Sequence, residues 1–196
     1  DGGLHFERQA AIAAGLRMVE EGAAIVDVGG ESTRPGAAAV GVQEEIDRVV
    51  PVIEALAART EAVLSVDTSR PEVIAAALRA GAHLVNDVRA LRTPGALAAA
   101  AAQNAAVCVM HMQGEPATMQ AAPHYDNVVA EVRDFLAARV EACRLAGIRG
   151  ESISVADART HRLKVYVDGK LTKDFPASLG KEVKGQYTRS GVHVVT

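Results

Sequence analysis

Short apolar runs alternate with longer stretches of helical spacing along the first 150 residues. The runs Ala24-Ile25-Val26-Asp27-Val28, Ala62-Val63-Leu64-Ser65-Val66, His83-Leu84-Val85 and Ala106-Val107-Cys108-Val109-Met110 are brief and rich in β-branched residues. Runs of that kind predict strands buried on both faces. Between them apolar residues recur every three to four positions, predicting a helix over about His5 to Glu21 with Ile12, Leu16 and Val19 on one face. Further helices are predicted over Glu44 to Arg59, Glu72 to Ala80, Gly95 to Asn104 and Tyr125 to Ala146. Thr68-Ser69 before Arg70-Pro71, and Thr93 before Pro94, each offer a capping hydroxyl followed by proline in the first turn. Strand and helix alternating at this spacing imply right-handed βαβ units on a parallel sheet.

Polar residues follow the apolar runs in a regular way. Gly29-Gly30-Glu31-Ser32-Thr33-Arg34-Pro35-Gly36 comes after the first, Asp67-Thr68 ends the second, Asn86-Asp87 the third and Met110-His111 the fourth. In a (β/α)8 barrel the C-terminal strand ends form one active-site face, so these groups would converge on a single mouth. A polar residue at a strand end also serves to cap the helix that follows, but the same arrangement after four successive strands points to a site.

The pattern changes near residue 150. His161-Arg162-Leu163-Lys164-Val165-Tyr166-Val167 alternates with period two and meets Asp168-Gly169, a hairpin turn signal. Leu171 to Ser178 alternates less cleanly, and Gly191 to Val195 reads as another strand. Composition changes at the same place. Residues 1–150 hold thirteen arginines, no lysine and nineteen acidic residues, a net −6, whereas residues 151–196 hold eight basic and five acidic residues, a net +3. The expected organisation is therefore a domain over 1–155 and a β-rich segment over 156–196.

The overall charge of −3 gives no reason to expect nucleic acid or an anionic membrane as partner. No apolar run approaches the roughly 20 residues of a membrane span. Cys108 and Cys143 lie in apolar, alanine-rich surroundings and outside any metal-ligand spacing, so two buried free thiols are expected.

Four segments carry a more specific signal: Asp-Val-Gly-Gly-Glu-Ser-Thr-Arg-Pro-Gly (27–36), Ser-Val-Asp-Thr-Ser (65–69), Val-Asn-Asp-Val (85–88) and Met-His-Met-Gln-Gly (110–114). In order and approximate spacing they resemble the signatures of dihydropteroate synthases, which condense a hydroxymethyl-dihydropterin diphosphate with p-aminobenzoate in folate biosynthesis. The resemblance covers residues 1 to about 155. It implies an α/β fold, an incomplete (β/α)8 TIM-type barrel holding about strands two to six, followed by a short antiparallel β segment.

It also implies roles. Thr33 and Pro35 would hold p-aminobenzoate, and Arg34 would order their mobile loop beside the diphosphate, a task a guanidinium suits. Asp67 and Asn86 would read the nitrogen edge of the pterin, with Met110 packed on the ring. His111 is expected to be structural. Asp1 matches a first-loop acid that would help stabilise the developing cation. Magnesium is the family's cofactor, but its asparagine ligand has no counterpart in this sequence, and no metal ligand is assigned. The resemblance further implies a cytoplasmic protein and a homodimer.

The sequence departs from the family where an Asp-Pro-Gly turn is expected and Ala156-Asp157-Ala158-Arg159 stands instead. No counterpart follows of the family's lysine loop or Arg-x-His clamp, so this chain by itself is not expected to be an active synthase. Beyond that point Val-Tyr-Val-Asp-Gly-Lys (165–170), Phe-Pro-Ala-Ser-Leu-Gly-Lys (175–181) and Thr-Arg-Ser-Gly-Val-His-Val-Val (188–195) resemble the start of an L,D-transpeptidase catalytic domain. That family's cysteine motif is absent. The alternative reading is thus a non-catalytic chimera of two fragments.

Overall fold

A computed structural model of the chain describes residues 6–32, 39–119 and 122–149, and the backbone of three more strands, 153–157, 162–167 and 170–176. The described elements run α1 (Arg8–Glu20), β1 (Ile25–Gly29), α2 (Val42–Ala57), β2 (Val63–Asp67), α3 (Pro71–Arg79), β3 (Leu84–Asp87), α4 (Ala96–Ala102), β4 (Ala106–Val109) and α5 (Val128–Leu145). β5 (Ile153–Asp157), β6 (Arg162–Val167) and β7 (Lys170–Pro176) follow. The alternation read from the sequence is present, element for element, to Leu145.

The strands lie side by side in chain order in one sheet. β1 to β5 are parallel to their neighbours, and β5–β6 and β6–β7 are antiparallel. The change of direction falls between Asp157 and Arg162, where the sequence changes to period two. The Asp168-Gly169 turn and the strand expected over 191–195 lie outside the described residues.

Alternation along the parallel strands sorts side chains between two faces. Val26, Leu64, Val66, Val85, Val107 and Val109 lie in the core cluster with Ile53 and Leu56 of α2 and Ile74 and Ala77 of α3. Ile12 joins them from α1, with Leu16 and Val19 partly buried against the cluster. Cys143 and Ile148 bring the end of α5 into the same core. Burial of this apolar layer, at about 25 cal/mol per Å² removed from water, is what holds helices to sheet.

Two expectations need correction. The strands are not buried on both faces throughout, because Asp27 is exposed and Asn86 and Met110 are half-buried on the face away from the helices. That face carries the polar groups, so burying it completely would strand them. Nor do the Thr68, Ser69 and Thr93 hydroxyls cap helices. The residues before α3 and α4 are Arg70 and Gly95, and neither helix has a side-chain cap. Thr68 and Ser69 are drawn instead to buried carboxylates described below. Among the described helices the side-chain cap is at α5, where Asn127 Oδ1 accepts from the Ala130 N–H at 3.1 Å and Glu131 Oε1 accepts from the Asn127 N–H at 2.9 Å.

Candidate functional site

Register alone assembles a row of side chains across four strands. Gly29 pairs with Asp67, Asp67 with Asn86, and Asn86 with Cys108. Neighbouring strands are about 4.8 Å apart, so the carboxylate of Asp67 and the amide of Asn86 stand side by side at the C-terminal ends of β2 and β3. The row below starts with Asp27, whose partner on β2 is Ser65. Asn86 donates its Nδ2–H to Asp27 Oδ2 at 3.0 Å, crossing β2 to do so. A Cβ at position 29 would sit in ordinary contact with Asp67, 3.4 Å from its Cβ and 3.7 Å from Oδ2, and glycine leaves that flank of the carboxylate uncovered.

Cys108 closes the row. Burial, with Asp27 and Asp67 both nearby, pushes its thiol up to about 12, so it stands as a neutral group beside two carboxylates. Met110 follows one residue beyond β4, half-buried. Together these groups make a floor rich in hydrogen-bond acceptors, suited to a ligand that presents N–H donors.

The loops around this floor are pinned from behind by two buried acids. Glu45 of α2 is 1% exposed, accepts from Thr68 Oγ1 at 2.6 Å and pairs with Arg70 Nη1 at 3.0 Å. Arg70 also reaches Glu31 Oε1 at 3.1 Å, and the same oxygen accepts from the Val40 N–H. One arginine thus ties the end of the β1 motif to the start of α3. Burial is the largest influence on Glu45 and raises its pKa, against the pull of Thr68 and Arg70.

Asp87 is the second acid. Fully buried, it accepts from the Ser69 hydroxyl, from the Arg89 N–H at 2.8 Å and from the Leu91 N–H at 2.7 Å. Burial outweighs those bonds and raises its pKa. The turn it organises holds Ala90 and Leu91 at φ 55° and 56°, a left-handed conformation costly for residues with a Cβ. Arg139 of α5 donates to both their carbonyls, at 2.8 and 3.2 Å. Asn86 is therefore the residue before a turn fixed by an acid on one side and an arginine on the other.

A cavity of about 740 Å³ opens at this end of the sheet, with Glu31, Asp67, Arg70, Arg89, Arg92 and Glu115 among its lining. Arg89 pairs with Glu115 across it. His111 is turned into packing, 5.0 Å edge-on to Phe135 and 5.7 Å from Tyr125, and burial lowers its pKa.

Of the residues expected to form the site, Asp67 and Asn86 are brought together and Met110 lies one step from their row. Asp1, Thr33, Arg34 and Pro35 lie outside the described residues. Sequence reasoning missed Glu45 and Arg139 as parts of the site, and gave no role to Asp27 or Asp87, although both stand in the motifs it singled out. Asp27 had a signal, since period two puts it on the same face as Gly29. Arg139 had none, since its bonds span 48 and 49 residues.

Both cysteines are free and buried. Among the described residues no group of three His, Cys, Asp or Glu side chains could hold a metal ion, and no helix is long and apolar enough to cross a membrane.

Comparison with known proteins follows the same motifs. The family model described as pterin binding enzyme matches residues 1–162. The chain belongs to that family. It is 53% identical over 153 residues to the dihydropteroate synthase of Escherichia coli K12, covering 78% of this chain and 54% of that one. The dihydropteroate synthase of Streptococcus pyogenes is 37% identical over 195 residues, 98% of this chain and 71% of its own. Two solved structures are similar. The Yersinia pestis dihydropteroate synthase with a sulfonamide drug superposes with a TM-score of 0.75 at 51% identity, over 78% of this chain and 56% of that one. The Xanthomonas albilineans dihydropteroate synthase with 4-aminobenzoic acid gives 0.70 at 56% identity, over 78% and 54%.

The chain thus spans about half the length of the Escherichia coli relative and of both structures. Its parallel strands and helices are an open part of the TIM-type barrel expected of this family. The comparisons lend no support to a chimera with an L,D-transpeptidase fragment, and the Streptococcus pyogenes match runs well past the boundary expected near residue 155.

Proposed function

We propose that this chain carries the pterin-reading part of a dihydropteroate synthase, which joins a pterin methylene to the amine of p-aminobenzoate with loss of diphosphate. The observation that carries this reading is the pairing of Asp67 with Asn86 at the C-terminal ends of adjacent strands. A carboxylate only accepts, and an amide both accepts and donates, so the pair matches the amino-pyrimidine edge of a pterin. Met110, one residue beyond β4, would pack on the ring's face. Relatives support the substrates: the Burkholderia cenocepacia synthase has been solved with 7,8-dihydropteroate and the Xanthomonas albilineans one with 4-aminobenzoic acid.

Thr33 and Pro35 would hold p-aminobenzoate, Arg34 the loop beside the diphosphate, and Asp1 the developing cation. Catalysis of this displacement rests on positioning the amine and stabilising the departing charge, more than on a strong base. Magnesium, which the resemblance implies, would come with the diphosphate, whose charge it neutralises. The same reading brings with it a cytoplasmic location and a homodimer.

The test is a titration of the 196-residue chain with a hydroxymethylpterin diphosphate and magnesium, followed by thermal melt and by calorimetry. Ligand at about 100 times its Kd stabilises the folded state by about 2.7 kcal/mol, an upward shift of several degrees. Asp67→Ala and Asn86→Ala should each weaken binding about tenfold or more, or 1.4 kcal/mol. A melt blind to the ligand would overturn the reading.

A further inference from the structure

We propose that Asp27 is a positioning residue, which fixes the Asn86 amide so that the site selects a heterocycle with an N–H-rich edge over its oxo analogue. The inference rests on the pterin reading above. An amide side chain can turn over and present either its oxygen or its NH2 to a ligand. A carboxylate, having no proton to donate, accepts from the NH2 end only. With Asp27 Oδ2 at 3.0 Å from Nδ2, Asn86 is held in one of its two orientations. Its Oδ1 is thereby turned away from Asp27, and it joins Asp67 in the same row as an acceptor.

The surroundings favour this device. Asp27 lies on β1 and Asn86 on β3, so a residue two strands away sets the amide. Ser65, the register partner of Asp27, has a buried hydroxyl that makes no hydrogen bond, so the Asn86 amide takes the Asp27 carboxylate and leaves the neighbouring hydroxyl alone. The backbone under Asn86 is fixed independently through Asp87 and Arg139. The amide's orientation is thus the freedom left for Asp27 to remove. A bond to a charged acceptor disfavours the flipped orientation, which would set two acceptors together.

Two measurements on the full chain test this. In ligand-free protein, the Asn86 side-chain N–H signals in a ¹⁵N–¹H spectrum should be shifted and protected from exchange, and Asp27→Ala should move them to ordinary values. The second measurement compares 6-hydroxymethylpterin, a 2-amino-4-oxopteridine, with its 2,4-dioxo analogue, whose amino donor is replaced by a carbonyl. Wild-type protein should prefer the amino compound by about tenfold or more, and the isosteric Asp27→Asn should narrow that ratio by about three- to tenfold. The backbone spectrum of each variant checks that it is folded.

The possible failures separate. If wild-type protein binds neither pteridine, the pterin reading falls and this one with it. If it binds and discriminates while Asp27→Asn keeps the same ratio, only the role of Asp27 is overturned. Unchanged Asn86 signals in a folded Asp27→Ala protein would overturn the contact without any ligand.

Discussion

Leu91 donates its backbone N–H to Asp87 Oδ2 at 2.7 Å, inside a turn where Leu91 and Ala90 both hold left-handed backbone. That bond, with the one from Arg89, offsets the cost of the conformation just beyond Asn86. Asp87→Asn retains one acceptor oxygen and turns an NH2 toward a backbone donor. It should destabilise the chain by about 1–3 kcal/mol, the cost of an unsatisfied buried N–H. Urea unfolding measures this, and a change under half a kcal/mol would contradict the account.

Arg139 supports the same turn from α5, through the carbonyls of Ala90 and Leu91. Arg139→Ala should cost about 1–3 kcal/mol, and Arg139→Lys should recover only part, since a single ammonium does not reproduce the planar fork. If the turn holds Asn86 for pterin, both variants should also lose pterin affinity, measured by calorimetry at a temperature where they remain folded.

Glu45 makes a pH-dependent contribution. Burial raises its pKa above the ordinary 4.5. A raised acid pKa means the folded state binds the proton more tightly than the unfolded state. The stabilisation is complete below 4.5 and is lost as pH rises through the folded value. Glu45→Gln mimics the neutral form and should flatten that decline. Urea melts of both proteins at about pH 4.5 and about pH 7.5 should show wild type losing ground to the variant at the higher pH. An equal difference at the two values would refute it.

Gly30 is a position of close approach. A Cβ there would meet Glu45 Cγ and Val49 Cγ2 at 2.9 Å and the Glu45 carbonyl at 3.1 Å. The backbone contact cannot swing aside, so Gly30→Ala should destabilise by about 1–3 kcal/mol through overpacking. The Tm should fall accordingly; an unchanged Tm would mean α2 can move away without cost.

Cys108 should be inert in the native state. The residue is 3% exposed and its thiol is pushed up to about 12, so almost no thiolate forms at neutral pH. A chromogenic disulfide reagent should react with it only as fast as the protein opens, and at once in denaturant. Rapid native labelling of Cys108, mapped by mass spectrometry, would contradict the described burial.

Much of this was legible in the sequence. The runs at Ile25, Val63, Leu84 and Ala106 became parallel strands because β-branched apolar runs between helical segments have few other ways to hide. Which face a strand-end residue takes was less legible. Asn86 and Asp87 stand at the end of the third run in the sequence, and both lie in β3, paired with Cys108 and Val109. One position apart, they take opposite faces: Asn86 turns to the site, and Asp87 is buried among backbone donors. The hydroxyls of Thr68 and Ser69 read as helix caps because a local donor is the usual partner for such residues. Acids on α2 and β3 hold them instead, and no local rule foresees a contact over 23 or 18 residues.

By itself the sequence determined the order of strands and helices, the parallel direction of the first strands and the motifs that end each strand, because periodicity and sterics act between near neighbours. Tertiary structure alone decided that Asp27 reaches Asn86 across a strand, that Arg70 joins Glu31 to Glu45, and that Arg139 closes the turn at Ala90. Those contacts depend on register and on where packed helices bring distant side chains, and both are fixed only when the sheet and its apolar layer form together.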